Sequence, residues 1–76
     1  MKLDIWLDGD MEILTATFNV IINSQNEYVL YRETYPDGGY HKVWFDGFTS
    51  IDDVATELQT LHDAAAVVGF YPVLNY

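Results

Sequence analysis

The sequence predicts an α+β fold, ββββα: a four-stranded antiparallel sheet of two hairpins, one amphipathic helix packed on one face, and a short C-terminal edge strand or extended tail. Three observations carry this. Apolar and polar residues alternate with a period of two up to Asp46, and after Gly47 the period becomes that of a helix. Turn-forming residues interrupt the alternation at Asn23-Ser24-Gln25-Asn26 and at Tyr35-Pro36-Asp37-Gly38-Gly39. The chain has 76 residues, 50% of them hydrophobic and 16% aromatic, which is enough for one core and a single domain over 1–76. It has no cysteine, so a disulfide scaffold, a thiolate metal site and a cysteine nucleophile are all excluded.

Residues 2–7 place Leu3, Ile5 and Leu7 on one side and Lys2, Asp4 and Trp6 on the other, the pattern of a half-buried strand that Gly9 ends. From Glu12 to Ile22 the face Leu14, Ala16, Phe18, Val20, Ile22 alternates with Ile13, Thr15, Thr17, Asn19, Ile21, and the β-branched content favours a strand over a helix. After the Asn23–Asn26 turn, residues 27–33 alternate Tyr28, Leu30, Arg32 with Val29, Tyr31, Glu33. Proline and two glycines then reverse the chain into a fourth strand, Tyr40 to Asp46. Ile51, Val54, Ala55, Leu58, Leu61, His62, Ala65 and Val68 recur at helical spacing, giving a helix over about 50–68. Thr49 or Ser50 is placed to cap it, Asp52 and Asp53 suit its N-terminal dipole, and Gly69 is placed to end it. The tail from Phe70 to Tyr76 is too apolar to lie free in water, while Pro72 argues against a central strand.

With regular strands, the helix is expected to cover Leu3, Ile5, Leu14, Ala16, Phe18, Val20, Val29, Val43 and Phe45. The opposite face is then Trp6, Ile13, Thr15, Thr17, Tyr28, Leu30, Tyr40, Lys42 and Trp44. Aromatic side chains with a polar handle suit interfaces, so this face reads as a docking surface for a partner or a second copy. Cross-strand aromatic pairs that stiffen a thin sheet, or a tail folded over the face, are the structural alternatives.

The 12 acidic side chains outnumber the 3 basic ones, Lys2, Arg32 and Lys42, for a formal charge of −9. Such a chain repels phosphate backbones and has no basic groove, which argues against direct nucleic-acid binding. The same field draws in a cationic partner, unless the acidity serves solubility alone. The apolar runs are too short to span a membrane and the N-terminus is charged too early for a signal peptide, so a cytoplasmic protein is expected. If their segment is extended, Asp8, Asp10 and Glu12 project carboxylates at about 6.7 Å intervals, a row that can imitate phosphates. A solvated acidic turn is the plainer reading. A calcium loop would need a glutamate where Asn19 stands.

His41 and His62 lack metal-ligand spacing and read as core histidines. Ser24 lies in a turn and Ser50 serves better as a cap than as a nucleophile. The Asp37-Gly38-Gly39 turn lacks the length and lysine of a phosphate loop. No enzymatic activity and no cofactor are expected.

The stretch Asp37-Gly38-Gly39-Tyr40, followed by Thr49, Ser50, Ile51, Asp52, Asp53, Val54 and Ala55, resembles the HicB-type antitoxins. In those proteins a glycine-glycine-tyrosine strand start precedes an acidic, threonine-led helix; their proline-aspartate loop between strand and helix is missing here. In size, acidity, lack of cysteine and strand-helix layout the whole chain is similar to phage-encoded anti-CRISPR proteins, a group without a common motif. Both resemblances imply an acidic protein that occupies a basic surface built for nucleic acid, such as that of a CRISPR effector in a phage-infected cell. The expected function is therefore a non-enzymatic inhibitor, with Asp8, Asp10, Glu12, Asp37 and Asp46 steering and Trp6, Tyr28, Tyr40 and Trp44 anchoring. A homo-oligomeric accessory or assembly protein that pairs through the aromatic face is the alternative. An enzyme or small-ligand binder would need a concave pocket holding one of the histidines.

Overall fold

The computed structural model describes residues 1–34 and 41–76, with β4 described by its backbone alone at 41–43, 45 and 46. In chain order the elements are β1 (Lys2–Trp6), β2 (Leu14–Ile22), β3 (Tyr28–Thr34), β4 (His41–Phe48), α1 (Ile51–Val67) and β5 (Tyr71–Asn75). All neighbouring strands are antiparallel, and the sheet order is β4-β3-β2-β1-β5. The sheet thus has five strands, not the expected four: the tail joins as β5, pairing with β1 from Trp6↔Tyr71 to Lys2↔Asn75. Pro72 is tolerated because β5 is an edge strand, where a missing backbone N–H breaks no ladder on the outer side. Thr34 and His41 are paired across β3 and β4, and residues 35–40, including Asp37 and Tyr40, lie outside the described residues.

One face of the sheet carries the helix. Leu3, Ile5, Phe18 and Leu30 from the strands and Val54 and Leu58 from α1 form the buried core, with Ala16, Val20, Tyr28, Phe48, Leu61, Ala65 and Leu74 packed at its margin. This corrects the expected faces in two places. In β3 it is Leu30 and Tyr28, not Val29, that face the helix, because the turn pairs Ile22 with Tyr28 and Val20 with Leu30. That turn is built by Asn23. Its side-chain oxygen accepts from the backbone N–H groups of Gln25 (2.9 Å) and Glu27 (3.0 Å), and Asn26 adopts φ 59°. The odd-numbered loop of five residues joins even to even, and a one-residue change of register would turn every side chain over.

The second correction concerns Leu14. Ile5 pairs with Ala16 but Trp6 pairs with Leu14, so Thr15 is the extra residue of a β-bulge, its hydroxyl donating to the carbonyl of Ile5 at 2.8 Å. The bulge moves Leu14 to the face opposite the helix, with Trp6. Ile13 lies before the strand and is exposed. Val43 and Phe45, expected in the core, have side chains outside the described residues.

The helix is closed at both ends by its own sequence. Ser50 is the N-cap, its hydroxyl oxygen accepting from the Asp52 N–H, and Asp52 and Asp53 occupy the first turn. At the other end Gly69 N–H donates to Ala66 and Phe70 N–H to Ala65, the Schellman pattern, with Gly69 at φ 100°. The four-residue and three-residue steps Val54, Leu58, Leu61, Ala65 put one stripe of α1 on the sheet.

Candidate functional site

Among the described residues nothing is packed on the sheet face opposite the helix. The Cα extents are 38 × 26 × 16 Å, and the thinnest holds one sheet and one helix. Cross-strand pairing sets the membership of this open face. Lys2 lies beside Asn19, Asp4 beside Thr17, Thr17 beside Glu33, Asn19 beside Tyr31, Ile21 beside Val29 and Tyr31 beside Trp44. Tyr71 and Val73 extend the face across β5.

Tyr31 and Trp44 form its aromatic centre, with ring centroids 4.9 Å apart and planes inclined at 46°. Trp44 remains 53% exposed, so the contact with Tyr31 shields only part of the indole. Trp6 lies on the same face three strands across and four residues further along, about 20 Å away at the usual strand spacing and rise, flanked by Leu14 and Tyr71. Its indole N–H is buried with no acceptor. The polar groups between the two tryptophans bond one another. Thr17, almost fully buried, donates to Asp4 Oδ1 at 3.0 Å, and Lys2 Nζ stands 3.5 Å from Asp4 Oδ2.

The acidic segment does not take the expected extended form. Asp8 Oδ1 accepts from the Asp10 N–H at 3.0 Å, Met11 N–H reaches the Asp8 carbonyl at 3.2 Å, and Met11 has φ 55°. An aspartate side chain that bonds its own backbone two residues on makes a turn, and Leu7 N–H to Ile13 O (2.9 Å) closes the loop's base. Asp8, Asp10 and Glu12 are all exposed on this loop, at the Trp6 end of the sheet, but not at a regular pitch along a strand.

Of the residues expected at the partner surface, Trp6 and Trp44 share the open face and Asp8, Asp10 and Glu12 stand at its end. Tyr28 does not belong: its ring is on the helix side, beside the core. Leu30, expected on the open face, is in the core, and Thr15 is taken up by the bulge. Asp37 and Tyr40 lie outside the described residues, as do the side chains of Lys42 and Asp46. The residue that sequence reasoning missed is Tyr31. The four turn formers Asn23–Asn26 gave no signal for it, because a four-residue loop pairs even with odd; Glu27 joins the loop in the structure, makes it five residues long and puts Tyr31 opposite Asn19.

His62 is partly buried on α1 and bonds Asp63 at 3.0 Å rather than entering a pocket. The His62 and Gln59 hydrogen bonds, in that order, hold the Asp63 carboxyl below the ordinary aspartate value. No three metal-ligating side chains converge among the described residues, and no helix there is long and apolar enough to cross a membrane. No family model, curated protein or solved structure matches the chain.

Proposed function

We propose that this is a non-enzymatic interaction protein that lays its open sheet face on the basic, nucleic-acid-binding surface of a partner protein and occludes it, in an anti-CRISPR-like or antitoxin-like role. The supporting observation is an aromatic sheet face on which no other described element packs: Trp44, 53% exposed, lies tilted against Tyr31, and Trp6 and Tyr71 continue the same face. Indole and phenol rings give up a large apolar area on binding while keeping a polar tip for hydrogen bonding. At a net charge of −9 the favoured partner is cationic. The exposed carboxylates of Asp8, Asp10 and Glu12 steer it toward the Trp6 end, and the rings hold it.

The test is capture from cell lysate by the wild-type chain and by Trp44→Ala, at low and high salt. A basic nucleic-acid-binding protein retained by the wild type at low salt, released at high salt, and displaced from its nucleic acid supports the reading. A captured partner that keeps its nucleic acid while bound sinks it.

One observation favours a second reading, a homodimer through the same face. Lys2 and Asp4 neutralise each other there, so the face carries less of the net charge than the loop and helix do. Sedimentation separates the two: a tight dimer with Trp44 shielded favours self-association, a monomer the heterologous partner.

A further inference from the structure

The helix covers its own side of the sheet unevenly. It packs most closely on β5, and where β2 and β3 approach Ala16 and Thr34 an open groove of about 440 Å³ lies between the sheet and the C-terminal half of α1. Ile5 and Phe18 line the sheet side, and Leu61, Val68 and Phe70 the helix side. Among the described residues, the one charged group on it is Arg32. Arg32 shares the helix-side face because it pairs with Phe18 across the ladder. Its Nε is buried without a hydrogen-bond partner, and the Lys–carboxylate pair among the described residues, Lys2 with Asp4, is on the other face.

This is an unusual place to leave a cation alone. The chain has four acidic side chains for every basic one, so a carboxylate partner for Arg32 would be easy to supply from within. Arg32 is partly exposed, but an Nε–H withdrawn from water without an acceptor is costly, and the planar guanidinium fork matches a carboxylate. We propose that the groove is a binding site for a carboxylic acid with an apolar chain, the carboxylate paired with Arg32 and the chain laid between Phe18 and the Leu61–Phe70 wall. The volume falls within the roughly 300–1,000 Å³ usual for small-molecule sites. Apolar walls and a net charge of −9 disfavour phosphates, nucleotides and other polyanions, which leaves a ligand with one charge and much apolar surface. This site lies on the other side of the sheet from Trp44 and is independent of the partner surface.

Titration of the full chain with hexanoate, octanoate and decanoate below their micellar concentrations, followed by amide and methyl NMR shifts, tests the proposal. Saturable binding is expected to move Ile5, Leu61 and Val68 while leaving Trp44 in place, and to tighten about fourfold per added methylene until the groove is full. Octanol, the same chain without the charge, is expected to bind about tenfold more weakly than octanoate. Arg32→Gln is expected to abolish that preference for acid over alcohol, and Arg32→Lys to restore part of it. Absent saturation, equal affinity for octanoate and octanol, or shifts spread across the Trp44 face would overturn the proposal. So would a concentration-dependent dimer that moves the groove residues without ligand. If Arg32→Gln fails to fold, the acid-against-alcohol comparison on the wild-type chain decides.

Discussion

Which side of β3 faces the core decides whether Tyr31 or Tyr28 belongs to the proposed partner surface, and a pair of alanine substitutions reads it directly. Leu30 is 1% exposed and touches the core cluster, whereas Val29 is only partly buried on the open face. Leu30→Ala removes apolar atoms from a closed site and leaves a cavity, a loss of about 3 kcal/mol, while Val29→Ala trims a side chain already half in water and costs about 1 kcal/mol or less. For 76 residues the unfolding entropy at the midpoint is about 0.16 kcal/mol per kelvin, so the expected drops in Tm are about 19 °C and about 6 °C. A domain of this size holds roughly 4–11 kcal/mol in total, so the Leu30 change removes between a quarter and three quarters of it. Urea and thermal unfolding followed by far-UV circular dichroism give both values, and an unchanged urea m-value identifies the loss as native-state stability. Equal losses at the two positions, or a larger one at Val29, would refute the even-to-even register and return Tyr28 to the open face.

Gly69→Ala is expected to cost about 1 kcal/mol, read by the same unfolding curves: the added methyl meets open space, so the whole penalty is the positive φ of 100°. Asn23→Ala removes the acceptor for two turn N–H groups and is expected to lower stability by about 1–2 kcal/mol, with exchange of the Gln25 and Glu27 amides speeding up. Asp63 should titrate below ordinary aspartates in an NMR pH series, and His62→Ala should move its midpoint upward. Because its folded-state value is depressed, whatever Asp63 adds to stability is present above the ordinary carboxylate value and fades as pH falls through the lowered one. For a purified partner, Asp8→Lys with Asp10→Lys is expected to slow association and flatten its salt dependence, and Trp44→Ala to speed dissociation; the same kinetic change from both sets would contradict separate steering and anchoring roles.

Period and punctuation alone located the helix and the first three strands to within about two residues, because hydrophobic repeat and capping chemistry are local properties. Ser50, Asp52 and Gly69 do in the structure what their places in the sequence imply. The tail was legible as apolar and edge-seeking; its pairing with β1 was not, since nothing near Tyr71 specifies a partner some seventy residues away in the chain. The candidate site was legible in part. Trp6 and Trp44 fall on the expected face, while Tyr28 changed places with Tyr31 and the acids folded into an aspartate turn.

The two misplaced faces, in β3 and at Leu14, have one cause. A strand's alternation says which residues share a face, but not which face is covered; that depends on the turn register and on a single bulge residue, Thr15. The amino-acid order therefore determined the elements, the helix ends and the surplus of negative charge. Only the assembled sheet decided that Leu30 and Arg32 look toward the helix and Tyr31 toward solvent, because facing is settled by pairing between strands and not within any one of them.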